Sequence, residues 1–315
     1  MSNSKILWIC DPWDSLDHPC DTTLRLARAS IRRGNSNYWC TYGDARWAQN
    51  AATYKCNLMC ERAGGVFLDP HQQILDSDFD CFMMRVDPPI TDGYRCAIQL
   101  ITMDLENRGR DPERCLVNPP SVLLGHNDKL LALAIPDLAP RSIISSDLDE
   151  IAAFVESMGT AVLKPVHNHQ SKGVVMIDAK SAFRSMLLDS TARGTNQVVV
   201  QEFLSGYRES EKRVWMLDGE VMATCLKCFQ GTTFPPELAL EEYVEASILT
   251  EPERAICKRL GSALSARHVR MAGVDIVDGY ITDVNVVSPG LLVEIEHLDS
   301  SDYSDRIIAA IDKSQ

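Results

Sequence analysis

A chain of 315 residues, 45 % apolar and 24 % charged, has the composition of a globular protein with about two domains and a large core. Its formal net charge of −13 excludes general binding to nucleic acid or to an anionic membrane, which requires clustered Lys and Arg. A phosphate-bearing ligand would need a local basic pocket.

Residues 4–10 (SKILWIC) read as a short buried strand ending at Asp11-Pro12, the kind of strand end where open α/β sheets bind ligands. Residues 22–33 have helical periodicity, and Gly34 ends them. Residues 80–86 (DCFMMRV) and 114–117 (RCLV) read as strands stopped by Asp87-Pro88-Pro89 and Asn118-Pro119-Pro120. This alternation predicts an α/β layer of about 120 residues. Residues 148–157 follow as an amphipathic helix ended by Gly159, then strands at 160–164, 173–178 and 197–204. Residues 211–217 and 220–227 form a predicted hairpin turning at Asp218-Gly219. The segment 230–245 reads as an irregular loop marked by GTTFPPEL. Thr250, with Glu253 three residues on, caps a long helix over 250–268.

Eleven cysteines run from Cys10 to Cys257, and an odd number in a long chain does not fit a secreted disulfide framework. Cys225 and Cys228 form one CxxC, with no second to complete a four-thiolate zinc site. The opening MSNSKILWIC lacks a signal-peptide core, and no run reaches the ~18 apolar residues of a membrane span. Reduced thiols in a soluble, cytoplasmic protein are the expectation.

The most informative stretch is GVDIVDGYITDVNVVSP, residues 273–289, which reads as a hairpin. Asp283 and Asn285 are two apart and share a strand face. A two-residue turn at Asp278-Gly279 would put Asp275 on the opposite face. A three-residue turn, with Gly279 left-handed, would set Asp275 directly across from Asp283. Three hard oxygen ligands would then converge, suiting Mg²⁺ shared with nucleotide phosphates. The alternative is a surface hairpin with solvated acids. Lys164 ends a strand and Lys129 sits in HNDKLLALA; both can meet phosphate oxygens, the alternative being that Lys129 and Lys172 are simply exposed. After Lys164 comes VHNHQSKG, in which Ser171 and Gly173 would let backbone N–H groups approach a phosphate. His167 and His169 share one side of that loop, facing either a ligand or solvent.

Read in order, MRVDPP, LKP, KRVWMLDGE and GVDI…DVNVVSP closely resemble the bacterial glutathione synthetases of the ATP-grasp superfamily, over nearly the whole chain. The resemblance implies an α/β and α+β protein: an N-terminal α/β substrate domain (1–120), a central ATP-grasp lid (121–200) and a C-terminal ATP-grasp subdomain (201–315). It implies an ATP-dependent carboxylate–amine ligase working through an acyl phosphate, with Mg²⁺ or alternatively Mn²⁺. Lys129, Lys164, Ser171 and Gly173 would meet the phosphates. Gln201, Phe203 and Leu204 would lie along the adenine, with Glu211 on the ribose. Arg213 would reach the transferring phosphoryl group, while Asp275, Asp283 and Asn285 would hold the metal. Asp11, Arg85 and Asp87 would line the substrate side. The partners implied are small amino acids or peptides and further copies of the chain, with no nucleic acid and no membrane.

Two departures from the family pattern stand out. The loop after LKP is not glycine-rich. The segment after CLK reads KCFQGTTFPPELALEE, with Lys227 at the family's first arginine and no second arginine. Lys and Arg are not equivalent for gripping a carboxylate. The expected function is therefore a ligase with an altered substrate pair; the alternatives are glutathione synthetase itself and a catalytically degenerate binding module.

Overall fold

The computed structural model describes residues 3–126, 128–166, 173–180, 183–229, 234 and 243–313. Ser171, Lys172, His167 and His169 lie outside the described residues. Three sheets follow one another along the chain.

The first sheet holds β1 (Lys5–Cys10), β2 (Ser36–Thr41), β3 (Ala45–Ala48), β4 (Ala51–Arg62), β5 (Gly65–Asp76), β6 (Cys81–Arg85) and β7 (Leu116–Val117). Its order is β3-β4-β2-β1-β6-β7 with β5 on β4; β2, β1, β6 and β7 run parallel. β1 is covered on both faces, which is why it reads as an unbroken apolar run. Ile6, Trp8 and Cys10 face one core and Leu7 and Ile9 the other. Helix α1 (Thr22–Arg32) starts at Asp21, whose side chain accepts from the Leu24 N–H, and covers the first face. Helix α2 (Asp92–Asn107) covers the second with Tyr94, Ile98 and Ile101. The predicted strand 114–117 is only half right. Pro112–Cys115 is a helical turn, α3, capped by Asp111, and only Leu116–Val117 pair as a strand.

Two short helices, α4 (Pro120–Gly125) and α5 (Asp128–Leu133), lead to the second sheet. It orders β8 (Ser142–Ser145), β9 (Thr160–Pro165), β10 (Val175–Asp178) and β11 (Val198–Glu202) as β10-β9-β11-β8, all antiparallel. Helix α6 (Leu148–Met158) lies on one face and ends, as expected, at Gly159 with φ 77°. Helix α7 (Arg184–Ser190) adds Leu187 to the same core.

After a single turn, α8 (Tyr207–Ser210), the third sheet is built from β12 (Lys212–Leu217), β13 (Glu220–Cys228), β14 (Tyr243–Ala246), β15 (Met271–Val277) and β16 (Tyr280–Asn285), in the order β14-β13-β12-β15-β16. Tyr243–Ala246 therefore corrects the reading of 230–245 as wholly irregular, since these residues pair with β13. Helix α9 (Glu251–Ser265) carries the predicted Thr250–Glu253 capping box and stops three residues early. Helices α10 (Leu292–Asp299) and α11 (Tyr303–Asp312) return to the first sheet, where Ile295, Ile307, Ile308 and Ile311 complete the core beneath Trp8. Asn118, 2 % exposed, ties the first sheet to the third. Its Nδ2 donates to the Met271 and Val286 carbonyls, and its Oδ1 accepts from Arg270 and Met271. Among the described residues no helix is long and apolar enough to cross a membrane.

Candidate active site

The β15–β16 hairpin forms the centre of the site. Val277 pairs with Tyr280, so the turn is the two residues Asp278 and Gly279, both left-handed at φ 48° and 80°. A two-residue turn alone would put Asp275 and Asp283 on opposite faces. The register shifts between Asp275 and Ile276, because β16 carries one extra residue, Thr282. That bulge restores Asp275 opposite Asp283 and keeps Asn285 opposite Gly273. The expected register, Asp275 directly across from Asp283, is present, reached by a bulge rather than by a three-residue turn. The bulged residue also serves the neighbouring sheet, since its carbonyl accepts from Lys164 Nζ at 3.3 Å. The Asp278 carboxylate pins the hairpin tip to α8 through the Gly206 N–H and Ser210 Oγ, both at 2.9 Å.

A cavity of about 550 Å³ opens between the second and third sheets and runs to the end of β6 and the start of α1. That volume lies within the ordinary range for small-molecule sites, and parallel sheets bind ligands at such carboxyl ends. Lys129, Lys164, Arg213 and Lys227 reach its wall beside Asp275, Asp283 and Asn285. Gln201, Phe203, Leu204 and Glu211 line the same space, and Arg85 and Asp87 close its far end. Two expected residues are not on the wall. Asp11 instead accepts from the Asp87 N–H at 2.8 Å and so shapes the turn before Pro88. Gly173, at φ 74°, lies off the cavity where the chain enters β10.

The charges are already paired. Arg213 grips Asp275 with two bonds, Nε to Oδ1 at 2.7 Å and Nη2 to Oδ2 at 3.1 Å. Gly273 permits this, because a Cβ there would meet Arg213 Nη1 at 3.2 Å and Pro289 at 2.9 Å. Lys227 bridges Glu211 at 2.7 Å and Asp275 at 3.1 Å. Burial alone would push the Asp275 carboxyl up; the two cations hold it well below the usual range. Burial would likewise lower Lys227, but Asp275 and Glu211 keep its pKa above the ordinary lysine value. Lys164 shifts the other way, since burial lowers it more than the surrounding acids raise it. It rests on Gln201 Oε1 at 2.8 Å, so the Gln201 side chain supports a lysine.

Asp283 Oδ1 is buried and accepts no hydrogen bond from the described residues, so a cation fits there. Asp275 faces it with oxygens shared by Arg213 and Lys227, and Asn285 Oδ1 holds the Val287 and Ser288 N–H groups. Among the described residues no three His, Cys, Asp or Glu side chains form a metal cluster, so a cation would also draw on ligand oxygens. Sequence reasoning passed over Asp128, which precedes Lys129 and is pushed up to about 7 by burial and by the Asp283 charge. Its signal was an acid beside a candidate phosphate lysine. Arg85 is 3 % exposed; its Nε donates to Thr23 Oγ1 and its Nη2 to the Pro289 carbonyl, while Nη1 is buried without a partner among the described residues. All eleven cysteines are free thiols; Cys225 is packed in the core, and Cys20, on the cavity wall, was not anticipated.

Comparison with known proteins agrees with this geometry. Residues 5–123 match the N-terminal domain of prokaryotic glutathione synthetase, and residues 128–300 match its ATP-grasp domain. The chain belongs to the prokaryotic glutathione synthetase family. It is an ATP-grasp ligase of the glutathione synthetase type, an enzyme that forms an amide bond, in a family that uses ATP and a divalent cation. A glutathione synthetase of Gloeobacter violaceus is 32 % identical over 310 residues, covering 96 % of this chain and 95 % of that protein. The D-cycloserine synthetase DcsG superposes with a TM-score of 0.68 at 15 % identity, over 98 % of this chain and 100 % of that one. The ATP-grasp ligase PsnB, solved with a minimal precursor, gives 0.64 at 17 % identity over 100 % of both chains. These two likenesses show the fold.

Proposed function

We propose that this chain joins a small amino acid or peptide to an amine with Mg²⁺ and ATP, through an acyl phosphate, using a substrate pair other than γ-glutamylcysteine and glycine. The observation that carries the ligase chemistry is one cavity in which Lys129, Lys164, Arg213 and Lys227 meet Asp275 and Asp283. A carboxylate is a poor electrophile. Its oxygen bonds to the γ-phosphorus of ATP as the bond to ADP breaks; the amine nitrogen then bonds to the acyl carbon, phosphate leaves and the amine's proton passes to solvent. Lys129 and Lys164 hold the phosphates, and Arg213 and Lys227 offset the charge on the phosphoryl oxygens and the acid. Asp275, Asp283 and Asn285 would hold Mg²⁺, which would supply charge neutralisation at those oxygens. Phe203 and Leu204 lie along the base, Glu211 meets the ribose once Lys227 releases it, and Arg85 and Asp87 receive the substrate's far end.

Lys227 supports the altered pair, since a point charge already shared between two acids is a weaker carboxylate grip than a guanidinium fork. The three sheets fit a division near residues 120 and 200, and we take the enzyme to be a cytoplasmic homo-oligomer. A second reading, glutathione synthetase proper, is favoured by the name of the 32 % identical relative.

Mass spectrometry of incubations with Mg²⁺·ATP tests both readings. One well holds γ-glutamylcysteine and glycine, the rest a panel of other amino acids and dipeptides. A different amide, with glutathione absent or slow, is expected. Glutathione as the dominant product would establish the second reading, and ATP binding without ADP release in every well would refute both.

A further inference from the structure

Resting on the ligase reading, we infer that Gln201 and Ser142 are positioning residues for Lys164, a relay across the second sheet that aims one ammonium at the phosphates, so the Gln201 side chain serves the phosphates and not the base. The three residues sit on three adjacent strands and share one face. Ala161 and Leu163 of β9 and Val198 and Val200 of β11 pack into the core under α6. Alternation therefore turns Lys164 and Gln201 the other way, toward the cavity that both line. Gln201 pairs directly with Ser142 of β8. Lys164 pairs with Val199, so it lies diagonally from Gln201, a spacing that long side chains bridge.

Donors and acceptors fix the polarity of the relay. Ser142 Oγ donates its single proton to the Pro140 carbonyl at 2.7 Å, so toward Gln201 it can only accept. The amide must then turn Nε2 to Ser142, at 3.0 Å, and Oε1 to Lys164 Nζ, at 2.8 Å. A reversed amide would set its N–H groups against an ammonium that has donors alone. Gln201 is 4 % exposed, and both ends of its amide are engaged within the sheet. Lys164 depends on such a partner, because burial lowers its pKa and an uncharged amine attracts phosphate poorly. Its other acceptor is the Thr282 carbonyl, at 3.3 Å, so the ammonium is aimed from both sheets that flank the cavity. The base has a surface of its own: Phe203, packed edge-to-face on Tyr207 at 5.7 Å and on Phe234 at 5.6 Å, lines the same cavity.

Calorimetric titration of the full chain separates the two roles with two Mg²⁺-loaded probes: a non-hydrolysable ATP analogue, and inorganic tripolyphosphate, which lacks the base. Gln201→Leu should weaken both probes by the same factor, about tenfold, as expected for losing a hydrogen bond to a charged group. Ser142→Ala, which frees the amide to turn, should act in the same direction and less. Gln201→Glu keeps an acceptor for Lys164 and should recover most of the loss. Lys164→Met removes the group acted upon, so adding Gln201→Leu to it should cost tripolyphosphate nothing further. A loss confined to the analogue overturns the inference, because Gln201 would then meet the base. Unchanged affinity for both probes in Gln201→Leu overturns it as well. A further loss of tripolyphosphate in the Lys164→Met background also overturns it, since Gln201 would be acting through the fold at large. A parent protein that binds neither probe refutes the ligase reading itself.

Discussion

The β4–β5 and β15–β16 hairpins close through the same turn chemistry: Ala63–Gly64 at φ 47° and 83°, and Asp278–Gly279 at φ 48° and 80°. Each also shifts register once, the first between Asn57 and Met59, around Asp69 and Pro70, and the second at Thr282. Their acids fare differently. On β5, Asp69 turns to its own neighbour, accepting from the His71 N–H at 2.8 Å, and Ile74 is 64 % exposed. On the inner hairpin every residue of β15 is buried, β12 pairs along its other edge, and Lys164 reaches across from the second sheet. A turn and a bulge make a hairpin; enclosure by cations from two sheets makes carboxylates into a site.

Removing Thr282 tests this most severely. Without the bulge, Asp283 and Asn285 change faces relative to Asp275. ADP release in the substrate mixture that supports turnover should vanish, and full turnover would refute the assignment of the hairpin as the metal mount. Chelating the cation should likewise stop the parent, with recovery on adding Mg²⁺.

Two single-charge changes then separate pairing from chemistry. Asp275→Asn breaks a buried ion pair with Arg213 and Lys227, a change that typically costs about 3–5 kcal/mol, so the Tm should fall sharply along with turnover. Asp283→Asn removes a carboxylate whose Oδ1 accepts nothing, so turnover should fall about 10²-fold or more while the Tm stays near the parent's. Equal Tm losses in the two variants would mean that Asp283 is held by partners after all.

Gly64→Ala and Gly279→Ala sharpen the comparison at the turns. Both impose a side chain at positive φ, and a Cβ at Gly279 meets nothing within 4 Å, so each should cost about 1 kcal/mol in denaturant unfolding. Only the inner change should also lower kcat. At the Asp218–Gly219 turn a Cβ would press on the Gly261 carbonyl at 2.7 Å, so Gly219→Ala should cost more than either.

The smallest effect belongs to the outer hairpin. Glu61 of β4 is lowered from 4.5 to about 2 by hydrogen bonds from Arg32 and then Arg28 of α1. The folded pKa lies below the unfolded one, so the pair contributes stability above about pH 4.5 that is lost as the pH falls toward 2. Partial exposure keeps the contribution small. Glu61→Gln should flatten the acid limb of the stability profile without changing turnover; an unaltered limb would show that the clamp contributes nothing.

Local signals account for what could be read early. Gly34 and Gly159 end their helices, and the Thr250–Glu253 box starts its own, because caps act within one turn of the chain. The strand 114–117 was read too long because Pro112 behind Asp111 starts a helical turn, and a four-residue apolar run cannot tell the two apart. Strands β2 to β5 escaped notice, although β4 alternates buried and half-buried residues from Ala51 to Cys56, a period-two signal that could have found it. Asp11 looked like a substrate residue because it ends a central strand, yet it faces the backbone of Asp87.

The sequence by itself determined most strands and helices that carry the site residues, a left-handed Gly279 in the hairpin turn, and the family resemblance, because periodicity, caps and motif order are written in neighbouring residues. Only the tertiary structure decided that Thr282 bulges to align Asp275 with Asp283, that Lys227 is shared between Glu211 and Asp275, and that Phe234 joins Phe203 and Tyr207. Those contacts link residues far apart in the chain, and their geometry depends on how three sheets pack, which no local pattern encodes.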